Sequence, residues 1–126
     1  MFDLKQLPPI HYFLHGHELN WDTKTRVLKV NYVATQAMCN PRGHIEGGML
    51  CAMLDDTMGI LAALNQAERP ATTVNLHMDF YRPCQIGVVH CIASFRKEGR
   101  KILNLHSEAW QDEKMIASVD AAFLLL

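Results

Sequence analysis

Asn40-Pro-Arg-Gly-His-Ile-Glu-Gly-Gly-Met-Leu-Cys-Ala-Met-Leu-Asp-Asp-Thr-Met-Gly59 decides how this chain is read: a polar turn with glycine runs straight into a long apolar segment. Between Gly48 and Leu64 the only charged residues are the neighbours Asp55 and Asp56. An apolar run of that length predicts a helix buried nearly all round, from residue 47 to about 65. A carboxylate placed there costs several kcal/mol unless it is paired, hydrogen-bonded or wet. Packing alone does not select it, so at least one of the two aspartates is expected to serve chemistry.

Outward from this segment the chain reads as strands around one helix. Residues 10–20, after Pro8-Pro9, read as a strand or as a short helix leading into one. A turn at Trp21-Asp-Thr-Lys-Thr precedes an alternating stretch over 26–33. The polar loop covers 39–46, the helix follows, and Pro70 stops what comes after it. From Val74 the alternation is strict, placing Val74, Leu76, Met78 and Phe80 on one face. Residues 88–96 pair with 101–110 across Glu98-Gly99-Arg100, and a last hairpin turns at Asp112-Glu-Lys. Strands, one long helix and then an antiparallel meander make an α+β fold in a single domain over residues 1–126. The economical cover for one apolar helix is a curved antiparallel sheet wrapped around it. The apolar C-terminal strand and the β-rich edges point to association between subunits.

Composition excludes several classes. The 126 residues are 49% hydrophobic and 20% charged, with a net charge of −1. That balance argues against nucleic acid as a partner, which demands a basic face. The two aspartates interrupt the best candidate membrane span, and the N-terminal residues lack the pattern of a secretion signal, so no membrane partner and a cytoplasmic location are expected. Cys39, Cys51, Cys84 and Cys91 show no paired spacing and read as reduced, packed thiols. His15-x-His17 and His77-x-Asp79 supply at most two ligands each, so no metal site is expected.

The pattern Asn40, Gly43, Glu46, Gly47, Gly48 and Asp55 resembles that of the hotdog-fold acyl-CoA thioesterases, closest to their PaaI-like (phenylacetate-pathway) group. Thr73-Val-Asn-Leu-His-Met-Asp-Phe-Tyr-Arg-Pro is similar to that family's strand ending in an aromatic, a variable residue and proline. The resemblance covers most of the chain from about residue 10. It implies a sheet wrapped around one central helix, hydrolysis of an acyl-CoA thioester, and an obligate dimer with active sites across its interface. Asp55 stands where the family carries its catalytic carboxylate, as nucleophile or as general base. Thr73 aligns with a hydroxyl residue near it. Glu46 replaces the family's usual histidine or glutamine; it can position water or the leaving thiol, or cap the helix, and His44 can partly replace the imidazole. Asn40 either orients the thioester or holds the turn.

Physical chemistry adds to this. The first N–H groups of a helix have no partner within it and lie at its positive end. At Gly47 and Gly48 a substrate carbonyl can approach them without a Cβ in the way, forming an oxyanion hole. Asp55 lies about 10 Å along the axis from Gly48. One helix therefore does not easily serve one carbonyl with both groups, whereas two antiparallel helices do. A homodimer, or a homotetramer built from it, is the expected state. Neighbours on a helix point about 100° apart, so only one aspartate faces the site; register favours Asp55 and leaves Asp56 to a basic group or the interface.

Coenzyme A would enter as part of the substrate, with no other cofactor. Its phosphates would meet Arg82 or the basic turn of Arg96, Lys97, Arg100 and Lys101, unless that turn is only solvated surface. The expected activity is hydrolysis of a medium-chain or aromatic acyl-CoA. The alternative is a hotdog protein that binds acyl-CoA without cleaving it. A dehydratase is disfavoured because the loop lacks that family's His-x-x-Gly-x-x-x-x-Pro-Gly run.

Overall fold

Two breaks set the order of elements: Pro8-Pro9 before the first helix, and the polar loop before the second. The computed structural model describes residues 3–126. They form α1 (Pro9–Phe13), β1 (His17–Asp22), β2 (Val27–Ala34), a 3-10 turn at Gln36–Met38, α2 (Gly47–Ala63), β3 (Ala71–Phe80), β4 (Gly87–Glu98), β5 (Ile102–Gln111) and β6 (Lys114–Leu125). The first candidate segment is thus a short helix leading into a strand. Helix α2 ends two residues short of the expected limit. Asn65 stops it: its Nδ2 donates to Ala62 O at 2.7 Å and to Arg69 O at 2.8 Å, and its Oδ1 accepts from Ala67 N at 2.9 Å. These bonds offer the backbone an alternative to another helical turn.

All six strands join one antiparallel sheet in the order β1-β2-β4-β5-β6-β3. The final hairpin turns on Asp112 (φ 50°) and Glu113 (φ 60°), both left-handed as a two-residue turn between twisted strands requires. The sheet lays one face on α2, and alternate residues supply the core: Leu28, Val30 and Tyr32 from β2, Cys91 and Ala93 from β4, Leu103 and Leu105 from β5, Val119 and Phe123 from β6. From α2, Leu50, Met53, Leu54, Met58, Ile60 and Leu61 fill the other side. This is the sheet wrapped on one helix that the sequence predicts, the hotdog arrangement.

Two departures bear on the site. Edge strand β3 is poorly covered: Val74 is 55% exposed and Phe80 56%, while Leu76 and Met78 are half-buried. Its ladder with β6 also slips between Thr73 and Asn75, leaving Val74 as a β-bulge. Alternation counted from Val74 places Thr73 on the outer face with Asn75. The bulge reverses that parity, and Thr73 pairs with the buried Phe123 and faces α2. Among the described residues no helix is long and apolar enough to cross a membrane.

Candidate active site

Helix α2 is buried on most of its circumference, but one stripe stays partly open. It runs through Gly48, Cys51, Ala52, Asp55, Gly59 and Ala63, at helical spacing. A Cβ added at Gly48 or Gly59 would meet nothing within 4 Å. Asp55 sits midway along this stripe. Thr73 Oγ1 donates to its Oδ1 at 3.0 Å, so the bulge in β3 is what delivers the hydroxyl to the carboxylate. Burial pushes the Asp55 carboxyl above its ordinary value; the Thr73 bond opposes this and the neighbouring Asp56 adds to it. A raised carboxyl pKa makes a stronger base near neutral pH.

Asp56 points the other way, into the core. Its Oδ2 accepts from His11 Nδ1 and from Tyr32 Oη, both at 2.8 Å, and the side chains of His11 and Asp56 are 2% and 3% exposed. Tyr32 Oη also lies 2.9 Å from Thr57 Oγ1. A Cβ at Gly16 would fall 2.2 Å from the imidazole, so only glycine admits the ring there. The basic partner expected for Asp56 is therefore His11. Nothing in the spacing singles out His11 or Tyr32, because the contacts span 45 and 24 residues of chain.

The loop before α2 is held by its own backbone and by Asn40. Asn40 Oδ1 accepts from Arg42 N at 2.9 Å and His44 N at 3.2 Å, and Asn40 N donates to His44 O at 2.7 Å. Gly43 takes φ +82° in this turn. Asn40 holds the loop through these bonds. Glu46 begins α2 with no side-chain capping bond; its carbonyl accepts from Met49 N and Leu50 N. Its side chain is exposed beside a cavity of about 410 Å³, also lined by Arg42, His44, Phe80 and Arg82. Gly47 packs under Phe80, whose Cζ would lie 3.0 Å from an added Cβ. Among the described residues the N–H groups of Gly47 and Gly48 have no backbone acceptor.

Within one chain the groups divide among three places. Asn40, His44, Glu46, Gly47 and Arg82 gather around the cavity at the N-terminus of α2, and Arg42 joins them, a neighbour visible inside the quoted loop. Asp55 and Thr73 line a second cavity of about 300 Å³ further along the helix. Arg96 and Lys97 lie at the end of β4 and Arg100 and Lys101 in the turn to β5, and this hairpin end meets the loop that follows α2: Glu98 accepts from Gln66 N at 3.3 Å. Arg96 pairs with Asp120 at 3.6 Å on the exposed sheet face. The four cysteines are free. Burial and Asp55 push the Cys51 thiol up, so it is no activated nucleophile.

The sequence model of the Thioesterase superfamily matches residues 42–118, well over half of the chain. The chain belongs to the thioesterase superfamily. The matched segment of this superfamily member runs from the loop ahead of α2 into β6, and so contains Gly47, Gly48, Asp55 and Thr73. A Zymomonas mobilis protein named an uncharacterized acyl-CoA thioester hydrolase is 30% identical over 83 residues, 65% of this chain and 56% of its own length. The match therefore spans little more than half of that relative. A phenylacetic acid degradation-related protein from Ralstonia eutropha is 35% identical, with a TM-score of 0.89 over 95% of this chain and 92% of that one. A variant of the phenylacetic acid degradation protein PaaI from Thermus thermophilus shares the fold, with a TM-score of 0.84 at 20% identity, covering 94% of this chain and all of the other.

Proposed function

We propose that this chain is an acyl-CoA thioesterase that works as a homodimer, or as a homotetramer of such dimers, on a medium-chain or aromatic acyl group. One observation carries this reading. Asp55 lies on an open stripe of small residues, and the free N–H groups of Gly47 and Gly48 begin the same helix about 10 Å away along its axis. Each half of a hydrolytic site is present and neither completes it. A second α2, antiparallel along the stripe, would bring its Gly48 beside this Asp55. The space beyond Gly48 and Gly59 supports such an approach. So does edge strand β3, whose half-covered apolar residues leave its ladder open to a second sheet.

In that site the thioester carbonyl oxygen sits on the N–H groups of one Gly47-Gly48 turn, which stabilise the negative charge of the tetrahedral intermediate. Asp55 of the other subunit has Oδ1 held by Thr73 and, among the described residues, no hydrogen-bond partner at Oδ2. It either attacks the carbonyl carbon directly, forming an anhydride that water then cleaves, or draws a proton from the attacking water. In both routes the carbon–sulfur bond breaks, the carbonyl gains a water oxygen, and the departing thiolate of coenzyme A recovers a proton. Glu46 and His44 flank the approach to the helix N-terminus, where the leaving group would depart. Arg82 and Arg42 stand at the same cavity for the phosphates of coenzyme A; the basic β4–β5 turn lies at the other end of α2, within reach only from the partner's site.

The test is thiol release from acetyl-, hexanoyl-, palmitoyl-, phenylacetyl- and hydroxybenzoyl-CoA, with Asp55→Asn as control. Hydrolysis of a medium or aromatic ester that disappears in Asp55→Asn supports the reading. A variant at full rate refutes the role of Asp55. A wild type that binds these esters without cleaving them would make this an acyl-CoA-binding protein instead.

A further inference from the structure

The cavity beside Asp55 has one wall from outside the elements that carry the chemistry. Pro8 and Ile10, at the start of α1, line it together with Asp55, Gly59 and Thr73. Ile10 is 46% exposed, whereas the next residue, His11, is 2% exposed and fastened to Asp56. A helix of five residues has no stability of its own in water. Its position therefore depends on what it touches, and among the described residues its one buried polar side-chain attachment is the His11–Asp56 contact at 2.8 Å. Asp56 is the residue after Asp55, so this attachment ties the wall to the very turn of α2 that carries the carboxylate. Gly16 seats the imidazole from behind, and Tyr32 shares the same carboxylate oxygen.

We propose that α1 is the wall that selects the acyl group: Ile10 meets the acyl chain beside Asp55, and His11 is a positioning residue that sets how far this wall stands from the carboxylate. The proposal rests on the thioesterase reading and adds a determinant of substrate to it. A branched, apolar, partly exposed side chain facing a cavity that also holds the reacting carboxylate fits an acyl chain or a phenyl ring. At about 300 Å³ the cavity lies at the lower end of the range for small-molecule clefts, so a change of a few carbons in its wall is felt by a bulky acyl group and little by acetyl.

The experiment compares kcat/KM for acetyl-, hexanoyl- and phenylacetyl-CoA in wild type, Ile10→Ala, Ile10→Trp, His11→Asn and His11→Leu. It is paired with calorimetric binding of the same esters to each variant in the Asp55→Asn background. Ile10→Trp is expected to lower the phenylacetyl-to-acetyl ratio about tenfold or more, and Ile10→Ala to raise it, since one methylene in an apolar pocket alters discrimination by at least that order. His11→Leu removes the tie to Asp56 and is expected to flatten the ratio. His11→Asn keeps a donor near the place of Nδ1 and is expected to preserve it, a rescue that loss of general stability does not mimic. Ratios within about twofold of wild type in both Ile10 variants overturn the wall, even where hydrolysis itself persists. Absence of hydrolysis with binding ratios that still follow Ile10 would uphold the wall and refute the hydrolytic reading. Failure to bind or cleave any ester overturns both.

Discussion

Alanine at Asp56 and alanine at Asp55 remove the same group from adjacent positions, yet the structure assigns them very different costs. Among the described residues Asp56 Oδ2 is the only acceptor for His11 Nδ1, and it also receives the Tyr32 hydroxyl, with the side chains of His11 and Asp56 almost fully buried. Removing that oxygen leaves the His11 and Tyr32 donors buried without it, at about 1–3 kcal/mol each and about 3–5 kcal/mol together, because both have lost water as well as their acceptor. For 126 residues the unfolding entropy is about 0.26 kcal/mol per kelvin, so Asp56→Ala should lower Tm by about 11–19 °C. Asp56→Asn should fall in between: both donors converge on one oxygen, which an amide carbonyl still offers without the charge, at a cost of about 2 kcal/mol.

Asp55 behaves oppositely. Its folded pKa is raised, so folding favours its protonated form. The resulting destabilisation is absent below the unfolded pKa and grows as pH rises through the folded one. At neutral pH Asp55→Asn should therefore match or exceed wild type in Tm, an advantage that fades on acidification. Thermal unfolding followed by circular dichroism, at one fixed protein concentration because association also raises Tm, separates the cases. Equal losses for Asp55→Ala and Asp56→Ala, or an Asp56→Ala protein melting within about 3 °C of wild type, would refute the buried-network account.

Three further outcomes follow from the site. Thr73→Val removes the bond that holds the Asp55 pKa down, so the acid limb of kcat/KM, already above the ordinary carboxylate value, should move to still higher pH; an unmoved limb would detach Thr73 from the titrating group. Gly48→Ala meets open space and improves helix propensity by roughly 0.5–1 kcal/mol, so Tm should hold or rise while the rate falls by about 10²-fold as the carbonyl is displaced; unchanged turnover would remove Gly48 from the oxyanion site. A Cβ at Gly59 meets nothing within 4 Å, so Gly59→Gln projects its side chain from the open stripe, and sedimentation velocity at micromolar concentration should show a monomer where wild type sediments as a dimer or larger. An intact dimer would place the interface elsewhere.

What the sequence makes legible is what repeats locally. Helix α2 shows itself by the length of its apolar run, and the β4–β5 and β5–β6 hairpins by alternation around recognisable turns. What stays hidden depends on events that leave no local trace. The bulge at Val74 is one. The residues before and after it alternate as in a regular strand, and only pairing with β6 shows that Thr73 has changed faces. The seat of His11 is another: α1 meets α2 across 45 residues of chain, and a lone histidine after Pro8-Pro9 has no spacing that announces a buried partner. The exposure of β3 is a third, since its apolar face is a property of the strand but its cover belongs to a neighbour.

The choice between the twin aspartates turns on the same distinction. Their spacing shows that one faces a site and the other does not, because 100° of helix separates them. Which is which follows from the residues that share each face. Asp55 lies with Gly48, Ala52, Gly59 and Ala63, all small and each three or four positions from the next along the stripe; Asp56 lies with Met53 and Ile60 under the sheet. A stripe of small residues on an otherwise large-residue helix cannot close a core against its own sheet, and it leaves room for another backbone to come near. A carboxylate on that stripe keeps a route to substrate, whereas a carboxylate on the opposite face must be satisfied from within. Small-residue periodicity, more than the aspartates themselves, is therefore the signal that assigns chemistry to Asp55 and architecture to Asp56.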